Sequence, residues 1–184
     1  MVFYSRSRVG RLIPVTTLVP FVPNQMSDPS SALPRVIAVV RILTGILFLL
    51  FGEYKVASPA FAHTGFPQYL QGYVQGSAIG FYRPVLALLL PHAVFFGYIV
   101  GVVELAIAAS LILGLWVRAM SIVGALFMLN LFLATWWEPG HGIPLWRYFG
   151  AELDTIPLFF LFLIFYTADA GSTWGLDRPR GRRD

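Results

Sequence analysis

From Val94 to Trp136 the chain carries only two charged side chains, Glu104 and Arg118, among Leu, Ile, Val, Ala, Phe and Gly. About 20 predominantly apolar residues cross a hydrocarbon core as a helix. This stretch is therefore long enough to cross twice, with Arg118 beside the turn, and helices apolar on every face have no place on a water-soluble surface. The rest of the chain agrees. Of its 184 residues, 57% are hydrophobic and 12% charged, and the mean hydropathy is +0.71, against roughly 25% charged in an ordinary soluble domain. The apolar runs are continuous rather than alternating, which excludes the pattern of a β-barrel. The chain reads as an all-α integral membrane protein.

Four segments have spanning length: residues 35–55, 94–115, 117–136 and 151–167. Between the first two, GFYRPVLALLLPH is broken by Pro84 and Pro91 and is short for a span, so an interfacial or re-entrant segment is expected in the first outer loop. The expected fold is a four-transmembrane-helix bundle over residues 35–170. It is preceded by an arm, 1–34, and followed by a basic tail, 171–184. Pro14, Pro20 and Pro23 break the arm too often for a span, and no small-residue cleavage site marks it as a signal peptide. Met26 is an alternative start to Met1. With an even number of spans, Arg6, Arg8, Arg11, Arg35, Arg118, Arg178, Arg180, Arg182 and Arg183 fall on one side and Lys55, Arg83 and Arg147 on the other. The positive-inside rule then places both termini in the cytoplasm, with Trp136, Trp137, Trp146 and Tyr148 forming an outer aromatic belt.

Several chemistries are excluded by composition. There is no cysteine, hence no iron–sulfur cluster, thiolate metal site or disulfide. His63, His92 and His141 all lie outside the spans, so no pair of histidines can hold a haem between helices. No HExxH, Walker, GxGxxG or nucleophile-elbow pattern occurs. The net charge of +4 comes mostly from the chain ends and points to anionic lipid headgroups, not nucleic acid.

Glu104 is the residue that needs explaining, because an ionised group near the bilayer centre costs on the order of 2.5–3.5 kcal/mol unless it is paired. Counted at 1.5 Å per residue, Glu104 lies roughly 16 Å from the cytoplasmic end of its span, Arg41 roughly 9 Å and Asn130 roughly 19 Å. A polar cluster of Arg41, Glu104 and Asn130 is therefore expected. Arg41, Gly45, Phe48, Gly52 and Lys55 share one helix face, and Gly97, Gly101, Glu104 and Ala108 share another; the glycines permit close approach of the two. Ala106, Ser110 and Gly114 form a second small stripe suited to a third helix. The cluster reads first as a clasp that fixes helix register and second as a protonatable Glu104, the candidate catalytic residue, beside a quinone or proton path.

On the outer side Glu53, Lys55, His63, Arg83, His92, Glu138, His141, Arg147, Glu152 and Asp154 concentrate. Among them Lys55, His63, Arg83, His92, His141 and Arg147 make a candidate site for an oxyanion or a quinone carbonyl. No metal site is expected, and ligation of a pigment by His92 is the weaker reading of that residue.

RILTGILFLLFGEYK resembles the first-helix pattern of the DoxX family. The stretch from YLQGYVQGSAIGFYRP to MLNLFLA is similar to its DoxD-like members, as is AGSTWGLD near the end of the chain. The resemblance covers roughly Val36 to Asp177. It implies a four-helix membrane bundle in a bacterial or archaeal cytoplasmic membrane, working with other membrane protein subunits. It further implies an accessory part of a redox or energy-converting complex, with quinone as a borrowed cofactor. A thiosulfate:quinone oxidoreductase subunit is the enzymatic alternative, and a small transporter the weaker one.

Overall fold

The computed structural model describes residues 4–6, 12–14, 29–136 and 155–177. Near the N-terminus two short strands, β1 (Tyr4–Arg6) and β2 (Leu12–Pro14), pair antiparallel with Ser5 opposite Ile13, a ribbon the apolar pattern of the arm did not announce. The helices follow: α1 (Pro29–Ala57), α2 (Phe66–Gly72), α3 (Arg83–Ala87), α4 (Ala93–Leu113), α5 (Val117–Thr135) and α6 (Thr155–Thr167). Among the described residues, three helical segments are long and apolar enough to cross a membrane: Ala32–Ala57, Arg83–Leu113 and Val117–Thr135. The α6 helix is apolar but has 13 residues, and residues 151–154 of the expected fourth span lie outside the described residues. Pro157 sits in the first turn of α6, where the missing N–H has no intrahelical partner to lose.

The bundle is apolar outside and buries several polar groups within its apolar core. Leu43, Leu47, Leu50 and Phe51 of α1 are exposed, while Arg41, Thr44, Glu104, Ser110 and Ser121 are buried. Water would drive the opposite arrangement; lipid does not, and buried polar groups then have to find partners within the protein. Thr44 does so within its own helix, its Oγ1 donating to the Val40 carbonyl at 2.8 Å.

Glycines set the register of α1 against α4. A Cβ on Gly45 would lie 2.8 Å from Ile112 Cγ1, one on Gly52 2.9 Å from the Leu105 amide, and one on Gly101 2.8 Å from Val56 Cγ2. The two helices therefore run antiparallel with these backbones in close contact, as their small-residue faces suggest. The main core joins Phe48, Ile107, Leu111, Met128, Phe162 and Phe165. Phe48 meets Phe162 edge-on at 5.5 Å, and the ring of Phe162 occupies the space where a side chain on Gly124 would begin. Gly124→Val is expected to lower the melting temperature in mild detergent, by overpacking worth roughly 1–3 kcal/mol; an unchanged melting curve would show that α5 and α6 slide apart freely.

The segment between α1 and α4 is a chain of short helical pieces. The π-turns Phe61–Gly65 and Tyr73–Ser77 flank α2, and α3 leads through a 3₁₀ turn, Leu90–His92, into α4. It packs through Leu70, Ala78 and Leu86 against Ala93 of α4 and Ala134 of α5, and the Ile79 amide donates to the Leu133 carbonyl at 3.0 Å. This folded segment lies over the ends of α4 and α5 that are remote from their connecting turn.

Candidate functional site

Glu104 is buried on α4, and its partner is Lys55 of α1. Gly101, one turn before Glu104, makes the pair possible: a Cβ there would lie 3.0 Å from Lys55 Cβ, so only a glycine lets the lysine stem lie this close to α4. The Lys55 ammonium also stands 5.6 Å from the centre of the Phe61 ring, an additional cation–π contact. Glu104 Oε1 takes the lysine; Oε2 is sealed from solvent with no hydrogen-bond partner among the described residues.

The expected Arg41–Glu104–Asn130 cluster does not assemble, and the register explains why. Gly45 lies against Ile112 and Gly52 against Leu105, which puts Arg41 level with the α4–α5 turn and Glu104 level with Glu53. About twelve residues of helix, roughly 18 Å, separate them, beyond an arginine's reach. The depth count failed because it measured each helix from its own assumed end.

Asn130 has a different partner as well: its Oδ1 accepts a hydrogen bond from the Tyr82 hydroxyl. Burial pushes the Tyr82 phenol above its ordinary pKa, so it stays protonated as the donor. Nothing in the helical periodicity signals this pair, because Tyr82 lies in the irregular turn before α3.

Lys55 and Asn130 line one cavity of about 790 Å³, walled by Phe51 of α1, Phe66 and Leu70 of α2, and Val103 of α4. Ligand pockets commonly measure about 300–1,000 Å³ and combine apolar walls with a few placed polar groups. Tyr54, Thr64, Gln68 and Tyr69 also line it and are exposed, which places them at the mouth.

The other residues of the expected outer anion site do not converge. Arg83 is committed to its own turn, Nε donating to Ala78 O at 2.8 Å and Nη2 to Gly76 O at 2.6 Å. His63 is exposed beside the Tyr98 ring, and His92 is exposed at the start of α4. His141 and Arg147 lie outside the described residues. Lysine and arginine are drawn to a carboxylate and to unpaired carbonyls because each buried acceptor needs a donor more than the surface needs a free cation. Among the described residues no group of three His, Asp or Glu side chains is placed to hold a metal.

Arg41 is wholly buried and serves the far end of the chain. Nη1 donates to Ala170 O at 2.6 Å and to Thr173 O at 3.3 Å, and Nη2 to Trp174 O at 3.0 Å. The stretch AGSTWGLD thus folds back as a hook. Its Leu176 amide donates to Leu113 O at 3.1 Å and its Asp177 amide to Gly114 O at 2.8 Å. The Asp177 carboxylate accepts from the Trp116 and Val117 amides at 2.7 and 3.0 Å. It thereby caps α5, whose N-cap position, Trp116, has no side-chain acceptor of its own. Gly114, at φ +65°, ends α4 in the left-handed conformation that favours glycine and lies against Gly175. The second small stripe therefore receives this hook at Gly114 rather than a third helix, and Ala106 is exposed. Two glycines and an aspartate in AGSTWGLD were the available signal for a fold-back.

Apolar helices of spanning length, a lipid-suited exterior and polar groups paired inside define a multi-pass helical membrane protein. The DoxX family model matches residues 36–137, more than half of the chain and the region that holds Lys55, Tyr82, Glu104 and Asn130; the chain belongs to the DoxX family. Neither a curated protein nor a solved structure gave a match.

Proposed function

We propose that this DoxX protein is an accessory membrane subunit of a redox or energy-converting complex, with a quinone held in the cavity beside Lys55. The cavity carries this reading, since it joins aromatic walls to the polar side chains of Lys55 and Asn130. A quinone fits these residues: Phe51, Phe66 and Val103 supply apolar contact, and Lys55 and Asn130 supply donors. When bound, a quinone supplies reversible two-electron, two-proton chemistry. Lys55 would orient an acceptor on it, and Glu104 would hold the ammonium in place behind the wall.

The chain is read as lying in a bacterial or archaeal cytoplasmic membrane, with α6 belonging to a fourth span and both termini on the cytoplasmic side. Arg35 and Arg118 then lie at the cytoplasmic surface together with the basic tail, near anionic lipid headgroups. Catalysis is assigned to partner subunits. Lys55 and Arg83 are committed to Glu104 and to backbone carbonyls, which leaves neither as an unpaired cation for thiosulfate.

Purification in mild detergent is expected to yield this chain with a larger subunit that bears an absorbing cofactor, and the chain alone is expected to show no thiosulfate-dependent quinone reduction. Turnover by the isolated chain would overturn the accessory reading in favour of a thiosulfate:quinone oxidoreductase subunit.

A further inference from the structure

The cavity wall has an arrangement of donors that narrows what it can hold. Among the described residues Lys55 is the only charged side chain lining it, and that charge is already balanced by buried Glu104. An anionic headgroup would therefore bring an unbalanced charge into an apolar space. An ammonium has three donors; one goes to Glu104, and Lys55 itself lines the cavity. Asn130 also lines the cavity; the Tyr82 hydroxyl donates to its Oδ1, which leaves Nδ2 as the donating end of the amide. Lys55 on α1 and Asn130 on α5 thus each bring a donor-bearing side chain to a lining that is otherwise largely aromatic and aliphatic.

We propose that the cavity recognises an uncharged lipophile through two carbonyl acceptors, one bound by Lys55 and one by Asn130, and that Asn130 is the residue that reads the second acceptor. This rests on the reading of the cavity as a ligand site. Two sources supply the chemistry: the opposed carbonyls of a quinone ring, or the two ester carbonyls of a diacyl lipid. Tyr82 is a positioning residue, acting through Asn130.

The test uses the full chain in detergent and two uncharged probe pairs: 2-decyl-1,4-benzoquinone against a decyl cyclohexenone with one carbonyl, and diester diacylglycerol against its diether analogue. Binding is read by calorimetry and lipid retention by native mass spectrometry. The wild type is expected to prefer the dione about tenfold, the scale of one added hydrogen bond in an apolar site. Asn130→Leu should abolish that preference while still binding both probes. The double variant Asn130→Leu/Tyr82→Phe removes both partners of the hydrogen bond and guards against an effect of misfolding alone. Tyr82→Phe by itself should reduce the preference. If Asn130→Leu keeps the wild-type preference, the role of Asn130 is overturned, while quinone binding in the cavity stands. If the wild type binds no dione but retains the diester lipid over the diether in an Asn130-dependent way, the two-carbonyl site stands and the quinone reading falls. Failure to discriminate within both probe pairs overturns the proposal.

Discussion

Ending the chain after Ala168 is expected to destabilise the bundle more than any single substitution, and Arg41→Leu in the shortened chain is expected to recover a large part of the loss. The truncation removes the carbonyls of Ala170, Thr173 and Trp174 that satisfy Arg41. It also removes the Asp177 cap of α5. A buried guanidinium stripped of its partners costs roughly 3–5 kcal/mol, and a lost cap about 1 kcal/mol. Arg41→Leu removes the orphaned charge, so only the cap and the apolar contacts of the hook remain missing. In the full-length chain the same substitution should act in the opposite direction, because it leaves three carbonyls without their donor. Melting in mild detergent, followed by circular dichroism, measures all four combinations. Equal effects of Arg41→Leu in both backgrounds would show that the arginine and the hook are not coupled. Asp177→Ala alone should cost about 1 kcal/mol through the cap.

The hook also shows where sequence reasoning stopped. The apolar run from Val94 to Trp136, interrupted only at Glu104 and Arg118, was enough to place α4, α5 and their turn. Gly45, Gly52 and Gly101 marked the faces that meet, because a backbone can approach another only where Cβ is absent. What those faces did not reveal was register. Depth counted from assumed helix ends put Arg41 within reach of Glu104, whereas the glycine contacts place it at the opposite end of the helix pair. Backbone carbonyls were the second blind spot. Any residue offers one, so no pattern of side chains could announce that Arg41 binds Ala170, Thr173 and Trp174, or that Arg83 binds Gly76 and Ala78. The cavity was invisible for a related reason. Its far wall is built by α2 and the π-turns, short pieces whose path is fixed by contacts with α4 and α5 rather than by a periodic apolar stripe.

Lys55 and Glu104 give the second large effect, and a double-mutant cycle separates the two roles an intramembrane acid can play. Lys55→Met should cost roughly 3–5 kcal/mol, since it leaves a buried carboxylate with no counter-charge. Glu104→Leu should cost less, because Lys55 lines a cavity and its long stem can carry the ammonium toward the mouth. The double variant Lys55→Met/Glu104→Leu should return close to the wild-type stability, as replacement of a whole buried pair by apolar residues of similar volume is often neutral or stabilising. A coupling energy near zero across the cycle would contradict the ion pair itself. If the double variant also keeps assembly and the activity of the parent complex, the pair is a clasp between α1 and α4. If it assembles normally but the complex no longer turns over, the carboxylate and ammonium are needed for what happens in the cavity and not for holding it together. Glu104→Gln sharpens the distinction. It keeps an acceptor for Lys55 while removing the titratable carboxyl, so a clasp tolerates it and a proton-handling group does not.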